Sequence, residues 1–552
     1  MKFLPFLLEI YLSIFLSFAC LGATSPRRIG SESLSLRIIH TNDIHAHYSP
    51  FNKYGSDCSK NDIDNNSCYG GAARLVTTID KLRNEHPNSL LFDAGDQAQG
   101  TLFYTIGKFN TTIKVMNLLK YDAMCIGNHE FDDGPDLLAT FFAKLEFPAI
   151  CANIDMTANS RLQKVVKPYI VIKKYQLGVI GYITNTTGNI SKSGPTVKFT
   201  DAATAVNKYV KELRAQGIKR IIAVSHNGYH EDMDVAANTH GLDLIVGGHS
   251  HTYLALNTSE QNAGGPYPTA VKNLDGKPTY IVQAKAWGEY VGFVDIDFSR
   301  NGSVASISGK PIHMSQDISE DTDMAKRIAE WRKPFEEYGE TVVGNFTTGI
   351  SNADCKYKEC ALGDLIADAM LWAQNQVEKT DVALINGGGI RAGIGSGPTK
   401  VKDVLLVFPF GNSLVGMNVT GKQLRDIVTG AFSKTSATNG RPVTGFIQLA
   451  GVRVKYHSSN GLGQNATAGN AIVDGIEIGT EDVWNPLEDS KVYKMVTLDF
   501  IARGGDNIID PPADPPAQTP LDVVIEDYFK TFSPITPPST LSRMINTGMG
   551  HR

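Results

Sequence analysis

From residue 34 to about 300, short apolar runs alternate with amphipathic stretches. The runs LSLRIIH, SLLFDAGD, AMCIGNHE, FPAICANI, LGVIGYIT, RIIAVSHNG and LDLIVGGHSH predict buried strands, because each is short, apolar and bounded by turn formers. Between them, GGAARLVTTIDKLRNEH and DAATAVNKYVKELRAQG place apolar residues at helical spacing. Such alternation predicts βαβ units and a largely parallel α/β sheet covered on its faces. Residues 317–340 read as a charged helix leading to a second α/β unit, with its own helix in LGDLIADAMLWAQ and strands in DVALING and YKMVTLDF. The stretch DPPADPPAQTP at 510–520 is too rich in proline for either element and reads as a surface loop. The expected division is a first domain over 34–315, a linker helix over 316–340 and a second domain over 341–546.

Composition narrows the classes. At 552 residues the chain exceeds one ordinary core, and 42% hydrophobic with 20% charged residues describes a globular protein. A net charge of −5 leaves no basic footprint for nucleic acid, although bound cations would still allow an anionic substrate. Residues 1–23 read as a secretory signal peptide: Lys2, an apolar run, then small residues near Gly22 and Ala23. No later apolar window reaches the ~20 residues of a spanning helix, and the chain ends SRMINTGMGHR, so a secreted protein without a membrane anchor is expected. Cysteines agree with that address. Cys58 and Cys68 bracket one polar loop and Cys355 and Cys360 another, which suggests two local disulfides, while Cys125 and Cys151 read as buried free thiols. Nine Asn-x-Ser/Thr sequons, at Asn65, Asn110, Asn185, Asn189, Asn257, Asn301, Asn345, Asn418 and Asn465, suit a glycosylated product.

The candidate chemistry sits at strand ends. LRIIHTNDIHAH ends in Asp43, His45 and His47; LLFDAGDQAQG in Asp96 and Gln99; AMCIGNHEFDDG in Asn128 and His129. IIAVSHNG ends in His226, and LIVGGHSH in His249 and His251. In an open α/β sheet the ligand site lies outside the carboxyl ends of the strands, so five such ends in one sheet would share a crevice. One strand-end Asp or His is usually a cap or solvated turn; five are hard to explain that way. His47 is the weakest member and also fits an exposed position, and His86 and His230 read as surface. An Asp/His/Asn/Gln set without cysteine suits zinc, manganese or iron, and its size suggests two ions sharing a carboxylate.

Taken together, HTNDIHAH, DAGDQAQGT, GNHEFDDG, SHNG and GGHSH resemble the 5′-nucleotidase/apyrase family of calcineurin-like metallophosphoesterases, over residues 36 to about 546. The resemblance implies a four-layer sheet-and-helix catalytic domain with two divalent cations (zinc first, with calcium, magnesium or manganese as alternatives) and a second domain that binds the nucleoside and moves relative to the first. It implies one cation on Asp43, His45, Asp96 and His251, where His251 replaces an Asn or Gln. It implies a second on Asp96, Asn128, His226 and His249, with Asp96 bridging. His129 would stabilise the transferring phosphoryl group, oriented by Asp132. NGGGIR, FPFGN and DFIARGGDNI would contribute Asn386, Gly389, Arg391, Phe410, Phe500 and Asp506 to the nucleotide, the two phenylalanines sandwiching the base. Lys356, in CKYKEC, stands where many relatives carry Arg, which keeps the charge and loses the bidentate fork.

The sequence reading is thus a secreted, metal-dependent nucleotide phosphohydrolase. Absence of a hydrophobic tail favours an apyrase that hydrolyses ATP and ADP with an anti-platelet role. The alternatives are a soluble 5′-nucleotidase acting on AMP and a nucleotide-binding protein without activity.

Overall fold

The structure, a computed structural model, describes residues 33–548 other than 54, 459–461, 463–470, 481–482, 514, 516–517 and 539–540. The expected signal peptide and the sequon at Asn465 lie outside the described residues. Among those described, no helix is long and apolar enough to cross a membrane.

The first domain is built on two sheets. One runs Val304–His313, Tyr290–Phe298, Leu34–Thr41, Ser89–Asp93, Ala123–Cys125, Ala149–Ile150, Val166–Lys167, with the last five strands parallel. The other runs Thr269–Lys272, Pro278–Val282, Leu244–Val246, Arg220–His226, Leu177–Ile183, Tyr169–Ile172, parallel through its four central strands. Side chains alternate between two cores, as the pleat requires. Leu36, Ile38, Leu90, Phe92, Ala123 and Cys125 pack with Val179, Ile180, Ile222 and Val224 of the facing sheet. Ile39, Leu91 and Met124 point the other way, toward the helix Ala72–Glu85 and its neighbours. That helix buries Ala72, Leu75, Ile79 and Leu82, the stripe its spacing predicts. The helix Ala202–Ala215 covers the second sheet and is capped by the Asp201 carboxylate accepting from the Thr204 N–H.

The expectation that all five ligand-bearing strands share one sheet is corrected here: three belong to one sheet and two to the other. A strand buried on both faces shows only that each face is covered. Whether a helix or a second sheet supplies the cover leaves no mark on its hydrophobic pattern.

The linker helix spans Thr322–Gly339, capped by Asp321. It leads to a second domain with two four-stranded sheets, one containing Val382–Asn386 beside Ile447–Ala450 and Val492–Leu498. A charge cluster ties the domains together. Asp57 of the first domain takes Lys402 of the second at 2.6 Å and also Arg332 of the linker helix, while Glu340 takes Lys400 and Lys402.

Disulfides join Cys58 to Cys68 and Cys355 to Cys360, and Cys125 and Cys151 are free and buried. His47, expected to fit an exposed position, is instead buried, its ring stacked on Trp287 at 4.7 Å.

Candidate active site

Parallel pairing aligns the strand ends. Thr41 lies beside Asp93, and Asp93 beside Met124, so the turns that follow carry Asp43, Asp96 and Asn128 out at one edge. In the facing sheet Val224 pairs with Val246, which brings His226 and His249 out at the corresponding edge. The sheets join there, because the Ala94 carbonyl lies 2.7 Å from Nδ1 of His226.

Two clusters result. Asp43, His45 and His251 form one, and Asp96, His226 and His249 the other. Oδ1 of Asp43 is 3.3 Å from Nε2 of His251. Oδ2 of Asp96 is 3.0 Å from Nε2 of His226 and 3.8 Å from Nε2 of His45, so this carboxylate faces both clusters. Asn128 adds its Oδ1 at 3.1 Å from Nε2 of His226.

The donor set fits divalent cations on three independent grounds. First, carbonyl oxygens only accept, so Ala98 at 2.8 Å from His45 and Ala94 at His226 fix N–H on both Nδ1 atoms and turn both Nε2 atoms to the centre. Second, burial pushes His45 and His251 well below the usual imidazole range and His249 down to about 3, leaving neutral rings with lone pairs. Burial also disfavours charge on His226, yet Asp96 and Asp43 hold it up to about 10; the carboxylates call for positive charge at this point, which a cation supplies as well as a proton does. Third, Asp43, His45, Asp96, His249 and His251 all have positive φ, between 47° and 75°. Backbone strain concentrated on candidate ligands is a mark of a built site.

His129 stands beside the clusters. Its Nδ1 lies 2.7 Å from Oδ2 of Asp132, and Nε2 of Gln99 donates to the same oxygen at 2.8 Å. One cavity of about 1010 Å³ joins this region to the second domain, and Asp96, Asn128, His129, Arg391, Phe410, Phe500 and Asp506 are all in its wall. Lys356, Asn386, Gly389 and His249 line it too. Burial, and then the neighbouring Arg391, push the Lys356 ammonium down to about 7. Asp506 accepts from Nδ2 of Asn386 at 2.7 Å and from the Thr444 hydroxyl at 3.1 Å. Of the residues singled out in the sequence for cations, dyad or nucleotide, all but His47 and Gln99 therefore border one space or one cluster; Gln99 bonds Asp132 and His47 packs on Trp287.

Glu130 was missed. It is fully buried inside the GNHE run, burial together with Asp96 pushes it up to about 7, and it accepts backbone N–H groups from two loops. Its place between Asn128, His129 and Asp132 was the available signal.

Residues 36–253 match the calcineurin-like phosphoesterase family and residues 342–511 the 5′-nucleotidase C-terminal domain. A snake venom 5′-nucleotidase of Crotalus adamanteus is 32% identical over 540 residues, covering 94% of this chain and 90% of its own. The 5′-nucleotidase of Homo sapiens is 33% identical over 491 residues, covering 85% and 83%. The crystal structure of a 5′-nucleotidase precursor from Thermus thermophilus superposes with a TM-score of 0.83 at 34% identity, covering 93% of this chain and 99% of that one.

Proposed function

Because the chain belongs to the 5′-nucleotidase family of calcineurin-like phosphoesterases, and is with them a metal-dependent nucleotide phosphohydrolase, we propose that it is secreted and converts AMP to adenosine and phosphate. The observation that carries this reading is the contact between Phe410 and His129, whose ring centroids are 5.3 Å apart. A base platform that close to the phosphoryl centre suits a substrate with a single phosphate between ribose and cations. The relatives matched over most of the chain carry the 5′-nucleotidase name, which supports AMP over the ATP and ADP of an apyrase, and the venom origin of one of them supports secretion.

Asp43, His45, Asp96 and His251 would hold one divalent cation, and Asp96, Asn128, His226 and His249 the other. Such a pair, when bound, activates water and neutralises charge developing at phosphorus. His129 keeps its Nδ1–H on Asp132 and turns Nε2 to the leaving oxygen; when that nitrogen also carries a proton, it passes the proton to this oxygen as the P–O bond breaks and adenosine departs. Arg391 and Lys356 meet the phosphate charge. Phe410 and Phe500 take the base between them, and Asp506, steadied by Asn386, accepts from the ribose hydroxyls.

Phosphate release from AMP, ADP and ATP, with and without chelator, tests the reading. Chelator-sensitive release from AMP above that from the other two is expected. Release from ATP and ADP but not AMP would replace it with the apyrase.

A further inference from the structure

The Glu130 carboxylate is out of contact with solvent, and all of its hydrogen-bonding capacity goes to backbone amides. Oε1 accepts from the N–H groups of Gln97 at 2.8 Å and Ala98 at 3.1 Å. Oε2 accepts from those of Asp96 at 2.9 Å and Gly127 at 2.6 Å. The first three amides belong to the loop that carries Asp96, and the fourth to the turn that carries Asn128. A return bond closes the unit, since Oδ1 of Asp96 accepts from the His129 N–H at 2.9 Å and leaves Oδ2 facing His226 and His45.

Two features argue that this placement serves more than local packing. A second buried carboxylate beside Asp96 is electrostatically unfavourable, so a neutral acceptor would be preferred if packing were the only need. Only a carboxylate, however, offers two oxygens to four donors. The loops also meet backbone to backbone: a Cβ on Gly127 would stand 2.2 Å from Oδ1 of Asp96 and 2.8 Å from Oε2 of Glu130. We propose that Glu130 is the positioning residue of the metal centre, fixing the spacing between Asp96, the shared ligand, and Asn128, and so the ligand set of the cation that both would hold. The proposal rests on the assignment of Asp96 and Asn128 as ligands in the function given above.

Glutamine at 130 would retain one oxygen and turn an NH₂ group toward two N–H donors, either the Gln97 and Ala98 pair or the Asp96 and Gly127 pair. Aspartate would keep the charge and fall short of one loop. The test is competition for Zn²⁺ and for Mn²⁺ against a chromophoric chelator, for the full-length parent, Glu130→Gln and Glu130→Asp, with the melting temperature of each cation-free protein recorded. Both variants are expected to bind about 10–100-fold more weakly, the range for lost outer-shell partners. Equal affinity in parent and Glu130→Gln would overturn the proposal while leaving the two-cation site intact. Parent-like binding by Glu130→Asp with weak binding by Glu130→Gln would also overturn it, because charge and not reach would then matter. A parent that binds neither ion would remove the ligand assignment itself. Should neither variant fold, amide exchange in the cation-free parent decides: the Asp96, Gln97, Ala98 and Gly127 amides are expected to exchange far more slowly than the flanking loop amides, and equal exchange would overturn the proposal.

Discussion

The rings of His129 and Phe410 stack across the domain boundary with 22° between their planes, and the Arg391 guanidinium lies 5.6 Å from the same phenylalanine centroid. The first domain's candidate acid thus rests on the second domain's proposed base platform. A base that binds Phe410 must share or displace one of these contacts, which couples nucleoside binding to the relative position of the domains.

Replacing Phe410 with alanine removes the platform. Base stacking on an aromatic ring is worth ~1–3 kcal/mol by alanine substitution, so KM for AMP should rise about tenfold or more. Steady-state kinetics with AMP checks this, and an unchanged KM would place the base elsewhere.

The dyad gives a complementary result. His129→Ala should lower kcat by ~10²–10³, the usual effect of removing one preorganised donor, with cation content unchanged. Asp132→Asn should cost less, because the ring is still packed between Phe410 and His45. Metal analysis alongside kcat separates this outcome from loss of the centre: a variant that also loses cations would mean His129 supports the ligands instead.

Much of this site was readable before any fold was known. Asp43, Asp96, Asn128, His226 and His249 each follow an apolar run, and a parallel strand that ends in a ligand type leaves that linear signature. Glu130 leaves only its place between Asn128, His129 and Asp132, since its partners are backbone amides that every residue other than proline possesses. The Asp57–Lys402 contact was equally hidden, because its partners are 345 residues apart and each looks like an ordinary surface charge. His47 looked exposed because a polar turn residue carries no sign that Trp287 will cover it.

The Cys355–Cys360 bond closes a short loop that carries Lys356 into the cavity. In the chain-entropy picture a loop this small is worth only about 2 kcal/mol, so its larger effect should be on binding. Cys360→Ser is expected to raise KM for AMP several-fold through a looser Lys356, with a melting temperature only a few degrees lower. Calorimetry and kinetics on the same preparation check both, and a large thermal loss with unchanged KM would make the bond purely structural.

A pH effect is expected far from the centre. Asp243 precedes the Leu244–Val246 strand, at the opposite end from His249, and its Oδ2 accepts the Ile221 N–H at 3.0 Å. Burial outweighs that bond and the nearby Arg214 and Lys277, pushing the carboxyl from 3.8 up to about 7. The folded protein therefore holds this proton more tightly than the unfolded chain does. The resulting stabilisation is complete below the unfolded value, fades as pH rises toward 7 and is gone above it. Asp243→Asn keeps an oxygen for Ile221 and cannot ionise. Its melting temperature relative to the parent should climb between pH 4 and 7 by a few degrees and then level off. Calorimetry of both proteins across that interval measures the gap, and a constant difference would mean that Asp243 is already ionised in the fold.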